Sequence, residues 1–358
     1  MNKTDNSIKT VLHICNYAAP YRGNFINSLN SLETYQNVKN VFLFPYRAYE
    51  TGAEKWIAKI NADKKCAYIQ EKSIIKRFFQ LKKIIKEHEV DVIMRHFIDL
   101  KIDVMVKLLF KSNKVVRFFH GSYRPQNSVL HKIRCFLWNK NLFIGVSEFV
   151  ANELQSVLHG QNIVAVPNAI DFDRLDVPCA LSKGDKTVIT MMGWDQIGKG
   201  VDLALNAVDR LSGKYDLVLQ IVAAINKTEV EDFIVSTLGK SVDWAVVLPA
   251  TNNIGNYYKA TDIFLSPSRA EAFGYSVVEA AYCENAIVAS RVGGQAQLQI
   301  DGAYWFENGN VDDLTEKLEK AIVEVDNPEK VMQRFNAKDK LKEIYSLEKW
   351  SKHIVDLL

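Results

Sequence analysis

The sequence of 358 residues contains little cysteine and no grouping of cysteine or histidine that indicates a metal site. Its five cysteines are scattered singly and form no C-x-x-C pair: Cys15, Cys66, Cys135, Cys179 and Cys283. The seven histidines form no H-x3-H pair. Single scattered cysteines are typical of reduced core thiols, so we expect a cytoplasmic protein without a disulfide framework or a dedicated metal site.

Long hydrophobic runs, repeats and low-complexity segments are also missing. No apolar run approaches the roughly 18–20 residues of a transmembrane helix, and the polar start MNKTDNSIKT has no hydrophobic region of a signal peptide. Hydrophobic residues make up 48% and charged residues 24%, the usual balance of a soluble globular protein. The length is comfortable for two domains.

Charge is divided unevenly along the chain, although the net charge is only +3. Residues 1–173 contain 25 Lys and Arg and 15 Asp and Glu, whereas the remaining residues contain 20 and 27. A basic half joined to an acidic half suggests that the first half faces an anionic surface.

Short apolar runs alternate with helical patterns in both halves. Strands are predicted at 10–16, 38–44, 90–95, 114–120, 141–147 and 161–167, then at 186–192, 216–222, 245–249, 262–266 and 286–290. This alternation is typical of parallel sheets covered by helices. After a linker at about 172–185 a new unit of strand, glycine loop and helix begins, so the sequence predicts two Rossmann-like domains.

Residues 266–280, S-P-S-R-A-E-A-F-G-Y-S-V-V-E-A, combine a strand end, a turn and a helix start. The predicted helix covers 275–283, and Gly274 lies where it begins. A helix start offers backbone N–H groups and a positive dipole end to an anion. Glu271 and Glu279 flank it, and carboxylates accept hydrogen bonds from hydroxyl groups. Backbone amides that bind phosphates, next to carboxylates that bind hydroxyl groups, suit a sugar nucleotide. The alternative is that the two glutamates are surface groups of an ordinary strand–turn–helix.

This stretch, S-P-S-x-x-E-x-F-G-x-x-x-x-E-A, resembles the signature of the retaining glycosyltransferases of family 4, also called glycosyl transferases group 1. The resemblance implies an α/β chain of the GT-B fold, with two Rossmann-like domains facing across a cleft. Residues 1–173, joined by the C-terminal helix at about 344–358, would form the acceptor-side domain. Residues 174–343 would form the domain that binds the nucleotide sugar.

The resemblance also implies roles for residues of the signature. Glu271 would hold hydroxyl groups of the donor sugar, and Glu279 would bind the ribose hydroxyls. The rest of the donor site is expected at the helix start, from Phe273, Gly274, Tyr275 and Ser276.

A second glycine-rich loop, residues 193–200 with the sequence G-W-D-Q-I-G-K-G, precedes the helix predicted at 201–211. Gly193 and Lys199 are expected in the donor site, because a lysine beside a helix start is well placed for a phosphate. The family commonly has a G-R-x4-K-G pattern here, and Trp194 occupies the position of its arginine. Arg22 or Arg269 are candidates to replace the missing cation.

Two further site candidates lie in the first half. His120 follows a predicted parallel strand and precedes a glycine, where open α/β sheets bind ligands. A lone histidine is usually structural, but the resemblance places one in this context beside the transferred sugar. Arg22 and Gly23 lie in the loop after the first strand, where the family often has paired glycines.

Together these residues predict an enzyme, a hexosyltransferase-type retaining glycosyltransferase. It would move a sugar from a nucleoside-diphosphate sugar, a UDP-sugar by preference, to a glycan or lipid-linked glycan, as in bacterial surface polysaccharide synthesis. Glu271, His120 and Lys199 would be catalytic, without metal or other cofactor, and nucleic acid is not an expected partner. The alternatives are a catalytically silent homologue that serves as a binding subunit of another transferase and a GT-B sugar-nucleotide epimerase.

Residues 72–86, K-S-I-I-K-R-F-F-Q-L-K-K-I-I-K, form a basic amphipathic helix. It is interpreted either as a core-packed helix with a solvated basic face or as a helix attracted to anionic lipid. The second interpretation predicts a peripheral protein at the inner face of the cell membrane.

Overall fold

The computed structural model describes residues 8–19, 23–35, 38–62, 66–110, 114–125, 127–176, 184–223, 227–251 and 253–358. The chain divides into two compact units. Unit 1 is formed by Met1–Ala169 and Leu347–Leu358, and unit 2 is formed by Ile170–Ser346. These boundaries lie a few residues from the predicted ones after 173 and at 344.

Within the described ranges, unit 1 contains seven parallel strands in the order β3-β2-β1-β4-β5-β6-β7. The strands are β1 Lys9–Cys15, β2 Val38–Phe44, β3 Cys66–Ile69, β4 Val92–His96, β5 Lys114–Phe119, β6 Leu142–Gly145 and β7 Asn162–Ala165. The helices are α1 Gly23–Tyr35, α2 Ala48–Thr51, α3 Glu54–Ala62, α4 Ile74–Glu87, α5 Leu100–Leu109, α6 Ser128–Trp138, α7 Glu148–Val157 and α14 Leu347–Leu357. The strands are apolar on both faces because helices cover both sides of the sheet.

Unit 2 has the same design around a six-stranded parallel sheet in the described residues, ordered β10-β9-β8-β11-β12-β13. Its strands are β8 Thr187–Met192, β9 Leu217–Ala223, β10 Ala245–Pro249, β11 Ile263–Ser266, β12 Ala286–Ser290 and β13 Tyr304–Phe306. Its helices are α8 Val201–Ser212, α9 Lys227–Leu238, α10 Ile254–Lys259, α11 Tyr275–Tyr282, α12 Val311–Glu324 and α13 Pro328–Tyr345. A short 3-10 turn covers Phe172–Arg174.

The strand order of each unit reverses direction at one point. In unit 2 the chain runs from β8 outward to β10 and then returns to place β11 on the other side of β8. In unit 1 the reversal lies between β1 and β4. Loops that leave neighbouring strands in opposite directions open a crevice at the carboxyl ends of those strands, where α/β sheets bind ligands.

A buried ionic cluster supports the sheet of unit 1. Asp103 of α5 accepts hydrogen bonds from Arg117 at 2.8 Å, from Arg95 at 3.2 Å and from the Trp138 indole at 2.9 Å. Burial acts to raise the pKa of Asp103, but the charges of Arg117 and Arg95 outweigh it and hold that pKa below its usual value. The cluster fixes α5 and α6 against β4 and β5.

Candidate functional site

The glycines of residues 193–200, the loop after β8, let this loop lie close against strand β9 and the turn after β11. A Cβ on Gly193 would lie 2.3 Å from Cγ2 of Ile221. A Cβ on Gly200, whose φ is +70°, would lie 2.1 Å from the carbonyl oxygen of Pro267. Only glycine therefore permits this approach between the loop after β8 and the turn after β11.

Arg269 fastens these two loops together. Its guanidinium donates to both carboxylate oxygens of Asp202 at 2.7 Å and to the carbonyl of Ile197 at 2.7 Å. Its backbone N–H donates to the carbonyl of Gly198 at 2.9 Å. The hydrogen bonds to Asp202 raise the pKa of Arg269. Arg269 therefore holds the loop after β8 and the turn after β11 together within unit 2. The other candidate cation, Arg22, lies outside the described residues.

Lys199 and Glu271, predicted to serve the diphosphate and the sugar, form an ion pair. The Nζ of Lys199 lies 2.6 Å from Oε2 of Glu271, and the two side chains are 16% and 19% exposed. The ammonium group also lies 5.1 Å from the ring centre of Trp194. A tryptophan face attracts a cation, so Trp194 contacts the lysine instead of supplying a second positive charge. A donor and an acceptor for ligands thus stand side by side between β8 and β11.

The start of α11 lies in the same crevice. Gly274 caps the helix with a φ of +101°, and its carbonyl accepts hydrogen bonds from the amides of Val277 and Val278. Phe273 is buried, with its ring 5.2 Å from that of Tyr275. Tyr275 and Ser276 form the first turn of the helix and are half-buried.

Glu279 lies in the second turn of α11 and is 7% exposed. Its Oε2 accepts a hydrogen bond of 2.8 Å from the hydroxyl of Tyr258, and its Oε1 lies 3.5 Å from Nη1 of Arg174. Burial and the Glu279 charge hold the pKa of Tyr258 well above its usual value, so this tyrosine keeps its proton and donates a hydrogen bond to the carboxylate. Tyr258 and Arg174 therefore hold the Glu279 carboxylate, an acceptor group, in place in the second turn of α11.

Sequence reasoning missed several residues that shape this site. Arg174 lies in the predicted linker, and Tyr258 lies in the short helix before the signature strand. Gln295 is fully buried and joins the ends of two strands, since its Oε1 accepts from Ser266 at 2.7 Å and its Nε2 donates to the carbonyl of Ser290 at 2.9 Å. An isolated glutamine gives no signal of this role in a single sequence.

The candidates of unit 1 lie at the carboxyl ends of its strands. His120 follows β5, and Gly23 begins α1 with a φ of +59°. The ring of His120 packs between those of Phe25, at 4.9 Å, and Phe97, at 4.7 Å. Burial of the ring lowers the pKa of His120 to about 3, so this imidazole is neutral near pH 7.

Metal clusters and membrane-spanning helices are both missing from the part of the chain that the structure describes. Its residues include no group of three or more His, Cys, Asp or Glu side chains arranged to hold a metal ion. None of the helices formed by these residues has both the length and the apolar character that crossing a bilayer requires. Metal-independent activity stays a prediction.

Comparison with known proteins gives consistent relatives for both units. Residues 41–174 match the family model "Glycosyltransferase Family 4", and residues 178–339 match "Glycosyl transferases group 1". An uncharacterized glycosyltransferase of Methanocaldococcus jannaschii is 26% identical over 51% of this chain and 50% of its own length. The phosphatidylinositol N-acetylglucosaminyltransferase gpi3 subunit of Schizosaccharomyces pombe is 22% identical over 48% of this chain and 38% of its own length. The chain therefore spans half or less of these curated relatives.

Solved structures match almost the whole chain. A glycosyltransferase from Rickettsia africae aligns with a TM-score of 0.81 at 16% identity, covering 98% of this chain and 97% of its own. HepE from Anabaena, solved in complex with UDP and glucose, aligns with a TM-score of 0.78 at 14% identity, covering 98% and 99%. At these identities the likeness concerns the fold, and it confirms the predicted α/β fold of the GT-B type.

Proposed function

Because the chain belongs to the group 1 glycosyltransferases of the GT-B fold, we propose that it transfers a hexosyl group from a UDP-sugar with retention of anomeric configuration. The observation that carries the proposal is the contact of Lys199 with Glu271 at the strand reversal of unit 2, beside the start of α11. HepE has been solved with UDP-glucose, which supports a uridine nucleotide as the donor.

The residues divide the work of the reaction. Lys199 and the N–H groups at the start of α11 stabilise the departing diphosphate. Glu271 accepts hydrogen bonds from hydroxyl groups of the donor sugar, and Glu279 accepts from the ribose. The bond between the anomeric carbon and the diphosphate oxygen breaks while the acceptor oxygen bonds from the same face. The acceptor proton passes to the departing diphosphate, so no separate base is required.

In unit 1, His120 accepts a hydrogen bond from a hydroxyl group of the bound substrate. Its neutral imidazole suits that role better than a cation would, because a cationic ring has only donors. Gly23 begins the helix in the loop where the resemblance expects ligand contacts.

A transfer assay with a panel of nucleotide sugars tests the proposal. The expected result is one preferred UDP-sugar, turned over without added metal, and a product whose anomeric configuration by proton NMR equals that of the donor. Lys199→Met should lower kcat strongly. Lys214→Met is a matched control, because Lys214 also pairs with a glutamate at 2.7 Å and lies 5.0 Å from the ring centre of a tyrosine. Inverted configuration, or equal effects of the two variants, would contradict the mechanism.

Trp194 favours a second candidate function, that of a binding subunit without its own activity. It stands where the family pattern has arginine, and some of the curated relatives are named as subunits. In that case no donor would be turned over by the wild type, and Trp194→Arg would raise activity. Turnover of a donor by the isolated wild-type chain would exclude a role as a catalytically silent subunit.

The acceptor is proposed to be a glycan or lipid-linked glycan at a membrane, as in bacterial surface polysaccharide synthesis. Helices α4, α5 and α6 expose large apolar side chains that define the apolar–basic surface of unit 1: Ile75, Phe79, Leu108, Val129 and Phe136. Phe79 and Phe136 are 61% and 73% exposed. A groove of about 440 Å³ between α4 and α5 is almost wholly apolar.

Helices α4 and α5 and the residues directly before α4 also carry exposed lysines: Lys72, Lys76, Lys82, Lys83, Lys86 and Lys107. The ammonium of Lys107 lies 5.8 Å from the ring centre of Phe136. Apolar groups that enter the bilayer and lysines that meet anionic headgroups are the features of an interfacial membrane surface.

Flotation with vesicles tests this surface. The wild type should float with vesicles that contain phosphatidylglycerol and much less with pure phosphatidylcholine, and salt should weaken binding. The double change Phe79→Ser and Phe136→Ser should abolish flotation, whereas the control Phe335→Ser, a 59% exposed residue of unit 2, should not. Equal flotation of both variants would refute the assignment.

A further inference from the structure

Three histidines form a continuous row through the sheet of unit 1. Nδ1 of His13 lies 3.3 Å from Nε2 of His96, and Nδ1 of His96 lies 3.3 Å from Nε2 of His120. At the other end, Nε2 of His13 lies 2.9 Å from Oδ1 of Asn40. These residues lie on β2, β1 and β4 and directly after β5, which are consecutive strands of the sheet. The row therefore runs from the sheet interior to His120.

Asn40 sets the direction of every hydrogen bond in the row. Its amide Nδ2 donates to the carbonyl of Leu29 at 2.8 Å. The reversed amide would place two oxygens together there, so Oδ1 must face His13 and accept. His13 consequently carries its proton on Nε2. The amide thus acts as a fixed acceptor at the buried end of the row.

The hydrogen bonds between the three imidazoles all have the same donor-to-acceptor direction, because the rings are neutral. His13 and His96 are fully buried, and burial lowers the pKa of His13 to about 4. Burial, the repulsion that His120 and His13 would exert if protonated, and the Arg95 charge hold the pKa of His96 well below its usual range. A neutral imidazole has one donor and one acceptor. His13 therefore accepts on Nδ1, His96 must donate from Nε2, and by the same rule His120 donates from Nε2.

We propose that Asn40, His13 and His96 are positioning residues that hold His120 as the tautomer protonated on Nε2, with Nδ1 presented as a hydrogen-bond acceptor. Nδ1 of His120 makes no hydrogen bond to the described residues, and Phe25 and Phe97 fix the plane of the ring. The inference deepens the proposed function, on which its kinetic consequence rests. The site selects a substrate group that donates a hydrogen bond to Nδ1, such as a hydroxyl, over a carboxylate or carbonyl oxygen.

Phe97 adds a backbone constraint at the same place. It follows His96 directly, and its φ is +67°, a region that non-glycine residues seldom adopt. Such strain persists only where surrounding structure enforces it. The turn at Phe97 lays its ring at an angle of 30° to that of His120.

Nitrogen NMR on the full chain with labelled histidine decides the tautomer. Long-range correlations between ring nitrogens and carbon-bound protons distinguish a protonated nitrogen from a free one. At pH 7 the expected pattern for His13, His96 and His120 is a neutral ring protonated on Nε2. In His96→Phe, His120 should change to a mixture of tautomers, while His88→Gln, outside the row, should leave its signals in place. His120 protonated on Nδ1 or cationic in the wild type would overturn the proposal, as would an unchanged His120 in His96→Phe.

Turnover gives an independent readout. His96→Phe should lower kcat about tenfold, the lower end of the cost of removing the hydrogen-bond partner that orients a metal-ligating histidine, with little change in KM for the donor. His88→Gln should keep wild-type kcat. If no donor is turned over by the wild type, the proposed function fails, and the tautomer of His120 is still decided by the wild-type spectrum. An unchanged kcat in His96→Phe would show that the row does not position a reacting group.

Discussion

Acid should destabilise unit 1 through its buried histidines, and His13 allows the size to be worked out. Burial lowers the pKa of His13 from 6.5 to about 4 in the folded chain. The unfolded chain therefore binds a proton at His13 more tightly than the folded chain does. The contribution of neutral His13 to the free energy of unfolding is fully present above about pH 6.5 and is lost as the pH falls toward 4. Linkage gives a loss of about 2 kcal/mol at pH 5 and about 3 kcal/mol at pH 4 from this residue.

The assay measures unfolding in urea between pH 7.5 and 4.5. Hydrogen exchange of the amide protons of β1 and β2 is the readout, because both strands belong to unit 1. His13→Gln serves as the matched variant, because a glutamine amide can still donate to Asn40 but does not titrate. The free energy of unfolding of the variant should fall less steeply with pH, by about 2 kcal/mol at pH 5. Parallel pH profiles for wild type and variant would refute the reasoning.

Three further predictions concern other parts of the fold and the site. Asp103→Asn leaves two buried guanidinium groups without a counter-charge, so thermal unfolding should show a loss of about 3–5 kcal/mol, and a loss below about 1 kcal/mol would contradict the role of the cluster. Gly200→Ala places a Cβ against a carbonyl at positive φ and should cost more than about 2 kcal/mol, whereas Gly213→Ala, with nothing within 4 Å, should be neutral. Glu271→Gln should lower kcat/KM about 10- to 150-fold, because a hydrogen bond to a charged group contributes about 1.5–3 kcal/mol, and the melting temperature should not change. Equal activity would remove Glu271 from the donor site.

The sequence alone was enough to predict two sheets of parallel strands and the part of the candidate site that contains Glu271 and Gly274. Buried parallel strands produce apolar runs that are easy to locate, and the signature places Glu271 and Gly274 at the end of one of them. The strands β3, of four residues, and β13, of three residues, were not predicted. The interpretation of α4 as core-packed holds for Leu81 and Ile84, which are buried, but not for Phe79.

Contacts between remote residues were beyond the reach of a single sequence. Arg174 was assigned to a linker, yet it lies beside Glu279. The row of histidines joins residues 83 and 24 positions apart, and only the strand order brings them together. His120 alone carried a positional signal, since it ends a predicted strand.

The central claim, that unit 2 binds a nucleoside diphosphate sugar at its strand reversal, is tested most directly by calorimetric titration of the full chain with UDP. We expect a single site in the wild type and binding at least tenfold weaker in Glu279→Ala, whose melting temperature without ligand should show that it is folded. Saturating UDP at about 100 times Kd should also stabilise the wild type by about 2.7 kcal/mol. No binding of UDP, or equal binding by wild type and Glu279→Ala, would contradict the claim.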